Sequence, residues 1–238
     1  MHTSHRPEDT PRVPQDVMID DVPADDVTTS VLASLAGAAR HHHPFPHWRL
    51  RNVWPSVVLD ALESLPIDPM AMTYAVGRRE ENNALRVYFD RAHQEAFTAC
   101  GRVATALQDP RTVAAIQTLC AVDLSGTFLR IEYARDTDGF WLEPHTDIGV
   151  KQFTLLAPLS RGPEACDWGT DLYADPQQAP TRLPFVANHA TVFVPSDRTW
   201  HGFARRPIHG VRRSLIVNYV GPDWRARHEL SFPDRPIA

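Results

Sequence analysis

Proline is distributed unevenly along this chain of 238 residues, and that distribution limits the folds the chain can adopt. Nine of the 21 prolines lie in residues 1–69, only Pro110 lies in 70–143, and eleven lie in 144–238. Proline lacks a backbone N–H and breaks the interior of an α-helix. We therefore expect helices in the middle of the chain and short, turn-bounded elements in its C-terminal part.

Apolar residues at helical spacing predict four helices before position 122. We expect them at 27–40, at 56–65 with Ser56 as the cap, from a capping Asp90 through Gln108, and from Pro110 through TVAAIQTLCAV. The acidic, proline-containing residues 1–23 are expected to form a flexible arm. Residues 24–238 are then one domain, with helical support over about 24–122.

Short apolar or alternating segments bounded by Gly, Pro and Asp begin near position 127 and predict β-strands. A β core over about 127–220 behind a helical half indicates an α+β fold, built as an antiparallel barrel or jelly roll with helices on one outer face. The histidine-rich segment HHHPFPH at 41–47 is expected to be a surface linker. The predicted strands are 127–134, 151–159, 169–174, 189–195 and 210–220.

The net charge of −5 comes entirely from the N-terminal arm. Residues 1–30 contain two basic and seven acidic side chains, which leaves 22 basic and 22 acidic residues from position 31 onward. A formally neutral body argues against nucleic acid as a partner, because binding to a phosphate backbone needs a basic excess. No stretch has the roughly 18 consecutive apolar residues of a membrane span, so a membrane partner is not expected either.

The usage of cysteine and lysine bears on where the protein works. Its three cysteines, at 100, 120 and 166, form no CxxC pair or even-numbered framework, and no secretory signal opens the chain. A reducing cytoplasm is the expected location. The chain also has 23 arginines and one lysine, Lys151, which is typical of a GC-rich bacterial genome. The oligomeric state stays open, with a homodimer as one alternative.

The segment EPHTD at 143–147 carries the strongest chemical signal. In an extended segment His145 and Asp147 project to the same face, so an imidazole and a carboxylate can bind one metal ion together. His201 in TWHGF is the best candidate for a second histidine. Two histidines and one carboxylate on one face of a metal ion are the ligands of non-haem Fe(II) oxygenases.

A basic strand follows His201 in the sequence GVRRS. Alternation along a strand places Arg212 on one face with Ser214, where a guanidinium and a hydroxyl can bind a distal carboxylate. Strand parity favours Arg212 for this role, and the adjacent Arg213 is the alternative.

Together these motifs resemble the core of the Fe(II)/2-oxoglutarate-dependent dioxygenases, in the prolyl-hydroxylase-like branch of the double-stranded β-helix (cupin-like jelly-roll) superfamily. The resemblance extends from about 127 to 220. It includes an aromatic strand end at Tyr133, then Gly139 and the HxD motif, a strand with Lys151, Thr154, Leu159 and Ser160, and the distal His201 with Arg212 and Ser214. Where prolyl hydroxylases usually have a tyrosine three residues before the first histidine, this chain has Leu142. A hydroxyl contact to 2-oxoglutarate is then missing or comes from Tyr133 or Thr154.

The resemblance implies three cofactors or cosubstrates, namely Fe(II), 2-oxoglutarate and O2. His145, Asp147 and His201 would be the metal ligands, and Arg212 would bind the 5-carboxylate of 2-oxoglutarate. Oxidative decarboxylation would release succinate and CO2. Related halogenases lack the carboxylate ligand, so Asp147 indicates hydroxylation, desaturation or ring formation instead.

The substrate side is less constrained by the sequence. Trp141 and Glu143 share the strand parity of the HxD motif, and Arg135 is expected in the loop just before it, so these three are the candidate substrate contacts. His189 and Arg206 are expected in solvated loops. A small polar metabolite of bacterial specialised metabolism is the expected substrate. The alternatives are a protein or peptide side chain, and a cupin-like metalloenzyme that does not use 2-oxoglutarate.

Overall fold

The computed structural model describes Ile19, residues 22–67 and residues 86–238. The helices are α1 (Ala24–Ala36), α2 (Ser56–Glu63), α3 (Arg91–Ala96), α4 (Thr98–Gln108) and α5 (Pro110–Cys120), with 3-10 turns at Pro163–Asp167 and Arg227–Glu229. The strands are β1 (Ala39–His41), β2 (His47–Arg51), β3 (Val87–Tyr88), β4 (Phe128–Asp136), β5 (Leu142–His145), β6 (Lys151–Pro158), β7 (Asp171–Tyr173), β8 (Thr181–Arg182), β9 (His189–Phe193), β10 (Trp200–Phe203) and β11 (Arg212–Val220).

The predicted helices are present, but the first spans Ala24–Ala36 in place of 27–40, and Ala39 and Arg40 belong to strand β1. Two further differences concern Asp90 and Ser56. Asp90 does cap a helix, because its side chain accepts a hydrogen bond from the backbone N–H of His93, but Phe97 is extended and divides the predicted helix into α3 and α4. Ser56 is not the cap of α2, since the extended Pro55 occupies the N-cap position and Ser56 is the first helical residue. Pro110 begins α5, as predicted.

The β core consists of two antiparallel sheets, which confirms the predicted double-stranded β-helix. The large sheet has the order β1-β2-β9-β6-β11-β4-β3, and the small sheet has the order β5-β10-β7-β8. β11 pairs along its length with β4 on one side and β6 on the other. From β4 onward the chain passes back and forth between the sheets, except that β7 and β8 are neighbours in the small sheet, so most connections lie at the rims of a common interior.

The large sheet is covered by helices on its outer face. Leu215, Val217 and Tyr219 of β11 point to this face and join a core that also contains Val31 of α1 and Val103 of α4. Ser214, Ile216 and Asn218 point to the opposite face, toward the small sheet. The strand parity predicted for β11 is therefore confirmed.

Two expectations about the N-terminal part need comment. The segment 41–47 is not a surface linker, because it connects β1 and β2 as a hairpin in which Phe45 and His47 are buried. Ile19, within the predicted arm, is buried in the main core, and the other residues of 1–21 lie outside the described residues. None of the helices in the described part of the chain is long and apolar enough to span a membrane.

Candidate active site

His145, Asp147 and His201 lie together between the two sheets. His145 at the end of β5 pairs directly with His201 in β10, and their ring centroids are 4.3 Å apart. Asp147 follows two residues after β5 and is buried. One potential ligand atom from each of the three residues lies within 4.8 Å of the other two, which is close enough for a shared metal ion.

A β-bulge and a glycine set the approach of β5 to β10. His201 pairs with His145 and Phe203 pairs with Leu142, so three steps along β5 correspond to two along β10. A Cβ atom at Gly202 would lie 2.7 Å from the carbonyl oxygen of Leu142, which only glycine avoids. This explains the glycine that directly follows the second histidine.

Both histidines are oriented by backbone carbonyls. The Nδ1 of His145 lies 3.0 Å from the carbonyl oxygen of Glu143, and the Nδ1 of His201 lies 2.9 Å from that of Thr199. Because a carbonyl oxygen only accepts, Nδ1 carries the proton in each ring and Nε2 carries the lone pair that a metal ion needs. Such an outer hydrogen bond is typical of metal-binding histidines.

The Asp147 carboxylate is held by two side chains of β6. Lys151 Nζ lies 2.5 Å from Oδ1, and Thr154 Oγ1 donates to Oδ2 at 2.7 Å. The Thr154 hydroxyl in turn accepts from the Nδ2 of Asn218 at 2.9 Å. Lys151 is the chain's only lysine, and it turns inward where the pairing of β6 with β11 is irregular. Its compact ammonium compensates a buried carboxylate that would otherwise be costly to ionise.

A cleft of about 950 Å³, counted with its opening to solvent, extends from the three candidate ligands between the sheets. Charged, polar and aromatic side chains share its walls. Its lining includes Leu142, Lys151, Thr154, Phe140, Phe185, Thr191, Phe203, Arg212, Ser214 and Ile216. A concave site with a few convergent polar groups is the usual form of a small-molecule pocket.

Arg212 lies at the far end of this cleft and is buried. Its Nη1 contacts Asp136 Oδ2 at 2.6 Å, and its Nε donates to the carbonyl oxygen of Trp168 at 2.8 Å. Within the described part of the chain, its Nη2 and the Ser214 hydroxyl make no hydrogen bond. Burial lowers the pKa of Arg212 from its usual value, while the Asp136 carboxylate acts in the opposite direction. A guanidinium with an open nitrogen beside a hydroxyl can receive a carboxylate.

Asp136 connects Arg212 to further buried charges. Its Oδ1 lies 2.7 Å from Arg86 Nη1, and Arg86 Nε lies 3.3 Å from Glu132 Oε1. Burial acts to lower the pKa of Arg86, but the carboxylates of Asp136 and Glu132 outweigh it and raise the pKa. Glu132 also pairs with Arg130, which pairs with Glu229. The charges on this side of the cleft therefore alternate and balance.

Three residues considered for the site lie on the helix-facing side of the large sheet. Tyr133 and Arg135 alternate with the cleft-lining residues of β4, and Arg213 pairs opposite Arg135. The Tyr133 hydroxyl donates to the carbonyl oxygen of Leu62 at 3.0 Å, and burial raises its pKa to about 12. Tyr133 as a 2-oxoglutarate contact and Arg135 as a substrate contact were therefore wrong, because strand alternation turns both away from the cleft. Arg135 also lies in β4 and not in the following loop.

Trp141 and Glu143 do not line the cleft either. The β5 bulge changes the side-chain alternation, so that Leu142 faces the cleft with His145. Trp141 is half-buried against Arg205, whose guanidinium carbon lies 4.6 Å from the ring centroid. Glu143 is exposed and contributes through its backbone carbonyl, which orients His145. Both substrate predictions fail because a uniform alternation cannot be assumed across a bulge.

Thr154 lies in the cleft as predicted, but its hydroxyl is occupied. It donates to Asp147 and accepts from Asn218, so it acts on a candidate metal ligand and is not directed at a cosubstrate carboxylate. Leu142 adds only apolar surface. The structure thus offers neither of the two hydroxyls that the sequence suggested as substitutes for the tyrosine at position 142.

Several polar residues around the cleft were not identified from the sequence. Asn218 could have been found by the parity that identified Arg212, since both lie on one face of β11. His189 lies in β9 and lines the cleft, and Arg206 is buried against Asp171, so neither is in a solvated loop. Arg86 and Arg49 come from elements that the sequence analysis did not connect with the β core, and no local motif indicates them.

Comparison with known proteins places this geometry in a structural class. No family model matches the sequence, and no curated protein matches it. The structure is similar to a Pseudomonas putida prolyl-4-hydroxylase, with a TM-score of 0.52 and 15% identity over 82% of this chain and 98% of that one. A prolyl hydroxylase from Trichoplax adhaerens, in complex with a hypoxia inducible factor peptide fragment, has a TM-score of 0.55 and 13% identity over 85% and 93%. A Phytophthora capsici prolyl 4-hydroxylase has a TM-score of 0.53 and 16% identity over 86% and 67%.

Likeness at these identities is likeness of fold. The two-sheet topology and these neighbours give the chain the double-stranded β-helix fold, which it shares with these prolyl hydroxylases. The fold resemblance drawn from the HxD motif, His201 and Arg212 is confirmed. What the site does follows from its own residues.

Proposed function

We propose that this protein is a non-haem Fe(II)- and 2-oxoglutarate-dependent oxygenase that oxidises a C–H bond of a small polar metabolite. One observation carries the proposal. His145, Asp147 and His201 converge within 4.8 Å, and they open into the cleft that contains Arg212. Hydroxylation, desaturation and ring formation are all compatible with this site. The expected products include succinate and CO2.

The donor set fits Fe(II). Two imidazoles whose Nδ1 atoms bond to backbone carbonyls present their Nε2 atoms, and Asp147 supplies a carboxylate held in place by Lys151 and Thr154. Three ligands on one face leave coordination positions for other molecules. When bound, the metal and 2-oxoglutarate would supply the oxidising chemistry with O2, and the protein supplies position and surroundings.

The Arg212 end of the cleft can bind one carboxylate group of a dicarboxylate such as 2-oxoglutarate. Arg212 has an open Nη2, and Ser214 lies two residues further along the same face of β11. Phe203 packs against the guanidinium, whose carbon lies 4.7 Å from the ring centroid. We assign the 5-carboxylate of 2-oxoglutarate to Arg212 and Ser214. Asp136 holds the guanidinium in the orientation that this contact requires. Arg213 points to the helices and is not assigned this role.

A small polar substrate is supported by the cleft walls, which combine charged side chains with aromatic rings from Phe140, Phe185 and Phe203. The rings exclude water from the reacting region, and polar groups orient the molecule. We place the protein in the cytoplasm of a bacterium, in specialised metabolism, because its cysteine and arginine usage favours that setting. Residues 24–238 are proposed to form one domain; the oligomeric state is left open.

A peptide substrate is a second candidate that one observation favours. Ile148 and Val186 are the exposed large hydrophobic residues in the described part of the chain, and each follows a residue that lines the cleft, Asp147 and Phe185. Apolar side chains beside the mouth of a site can receive a peptide. A prolyl or other side-chain hydroxylase would use this surface.

Succinate release under aerobic conditions tests these alternatives. The protein with Fe(II) and labelled 2-oxoglutarate is screened against amino acids, sugars, aminocyclitols and short peptides, with His201→Ala as the control. Stimulation by small metabolites and none in the control supports the proposal. Stimulation only by peptides that is lost in an Ile148→Ser variant supports the second candidate. Tight metal binding without any binding of 2-oxoglutarate would instead favour a cupin-like metalloenzyme.

A further inference from the structure

The cleft has a second basic region, formed by strands β2 and β9. Arg49 of β2 pairs opposite Thr191 of β9, and the next pleat pairs Arg51 with His189. Arg49, Thr191 and His189 all line the cleft, while Arg51 is exposed at its edge. Trp48 and Leu50 alternate with these arginines and point into the helix-facing core. Because Trp48 and Leu50 are buried on one face of β2, Arg49 between them lies on the other face, which lines the cleft.

Arg49 lacks the compensation that the other cleft arginines have. Its Nε is buried without a hydrogen bond, and no ion pair or side-chain hydrogen bond of Arg49 occurs among the described residues. Arg212 and Arg86, by contrast, both bond to Asp136. Burial and the neighbouring Arg51 lower the pKa of Arg49, so the groups acting on it are not acidic.

His189 and Thr191 lie beside Arg49 and add no negative charge to this region. Burial lowers the pKa of His189, and the positive charges of Arg49 and Arg51 lower it further. The Thr191 hydroxyl makes no hydrogen bond to a described residue, although the residue is only 4% exposed. A half-buried guanidinium with no carboxylate partner is costly unless an anion joins it. The region thus has the composition of an anion receptor: a fork of donors, a hydroxyl and an imidazole.

We propose that Arg49, with Thr191 and His189, is an oxyanion subsite that binds a carboxylate, sulfate or phosphate group of the substrate. The inference rests on the proposed function, because it assigns the 5-carboxylate of 2-oxoglutarate to Arg212 and leaves Arg49 for the substrate. The substrate is then a small anionic molecule that carries its negative group on the β2 and β9 side of the cleft. Balanced charges on the β4 side make that side a poor second anion site.

Inorganic sulfate is the probe, because its charge is constant near neutral pH. The full chain, loaded with Zn(II) as a redox-inert metal and with saturating 2-oxoglutarate, is titrated with sulfate by calorimetry at constant ionic strength. Arg49→Gln is compared with Arg51→Gln, which removes a charge from the same face of β2 at an exposed position. Circular dichroism and Tm confirm that both variants fold.

We expect saturable sulfate binding in the millimolar range by the unaltered protein. Loss of a charge-assisted contact in Arg49→Gln weakens it about 10- to 100-fold, whereas Arg51→Gln changes it less than about threefold. Thr191→Val should give an intermediate loss. The absence of saturable binding up to about 100 mM, or equal affinity in Arg49→Gln, would overturn the proposal.

A parallel titration with 2-oxoglutarate alone separates this proposal from the proposed function. If Arg49→Gln weakens 2-oxoglutarate binding more than Arg212→Gln does, Arg49 anchors the cosubstrate and the substrate subsite is wrong. The sulfate titration is also repeated without 2-oxoglutarate. If sulfate still binds through Arg49 while 2-oxoglutarate does not bind at all, the anion subsite is supported and the proposed function is wrong.

Discussion

The two faces of the large sheet differ sharply although the same strands build them. Toward the helices, β4 and β11 present Ile131, Leu215 and Val217, all fully buried in one apolar core. Toward the small sheet the same strands present Asp136, Arg212 and other charged or polar groups around the cleft. Alternation along a strand makes this possible, because successive side chains leave a sheet on opposite sides.

This difference indicates a division of work within each strand. Apolar contacts on the helix side are expected to determine most of the free energy of unfolding. On β4 and β11 the charges of the cleft side are compensated by ion pairs, and the residues of this side are expected to determine binding. Substitutions on the two faces should therefore affect different measurements.

The largest expected effect is the loss of metal binding in His201→Ala. Removing one of three ligands should weaken Mn(II) binding by more than about 100-fold, since loss of even an outer partner typically costs 10- to 100-fold. Electron paramagnetic resonance of free Mn(II) measures the affinity. His209→Ala, at an exposed position in the following loop, is the control and should bind as the unaltered protein does. Retained binding in His201→Ala would show that the ion is held elsewhere.

Leu215→Ala should have the largest effect on stability. Truncation of this fully buried side chain is expected to cost about 2–5 kcal/mol of unfolding free energy, through lost burial and the remaining cavity. Urea denaturation measures the cost. Ile216→Ala should cost less, because Ile216 is only half-buried on the cleft face of the same strand. Mn(II) affinity of folded Leu215→Ala should be unchanged. A tenfold loss of affinity would contradict the separation of the two faces.

Thr154→Val should weaken metal binding and lower the free energy of unfolding less than Leu215→Ala does. The substitution keeps the shape but removes the hydrogen bond to Asp147 Oδ2 and the acceptor for Asn218 Nδ2, so affinity for Mn(II) should fall about tenfold. Thr170→Val, which also lines the cleft but bonds to none of the candidate ligands, serves as the matched control. Equal affinity in the two variants would mean that Lys151 alone orients Asp147.

Arg205→Gln should have the smallest effect. The exposed guanidinium stacks on Trp141 outside the cleft, and loss of a cation–π contact at such a site is expected to cost about 0.5–1 kcal/mol of unfolding free energy. Urea denaturation measures this change, and Mn(II) binding should not respond. A clear loss of Mn(II) affinity would place Trp141 and Arg205 in the site after all.

The sequence was sufficient for features that depend on regular alternation or on local motifs. The HxD step located two candidate ligands, and uniform pairing along β11 separated Arg212 from Arg213. It was insufficient where strands are irregular. Bulges moved Trp141 and Glu143 out of the cleft and turned Lys151 into it, and a bulge depends on pairing with a distant strand.

Long-range partners were equally hidden from the sequence. Asp136 meets Arg212 because β4 and β11 are neighbours, across 76 positions of the chain. Tyr133 satisfied the aromatic pattern of the resemblance, yet its hydroxyl bonds to Leu62 on the helix side. A motif specifies residue types and spacing, but the face of the sheet on which a residue lies depends on the whole pairing register.

The most direct test of the cleft as an iron and 2-oxoglutarate site is an anaerobic titration followed in the visible spectrum. Fe(II) is added to the protein with 2-oxoglutarate, and the weak charge-transfer band of the bound chelate is recorded for the unaltered protein, Asp147→Ala and Arg212→Gln. We predict a saturable band in the unaltered protein, none in Asp147→Ala, and a weaker affinity for 2-oxoglutarate in Arg212→Gln. No band in the folded, unaltered protein would contradict the proposed function.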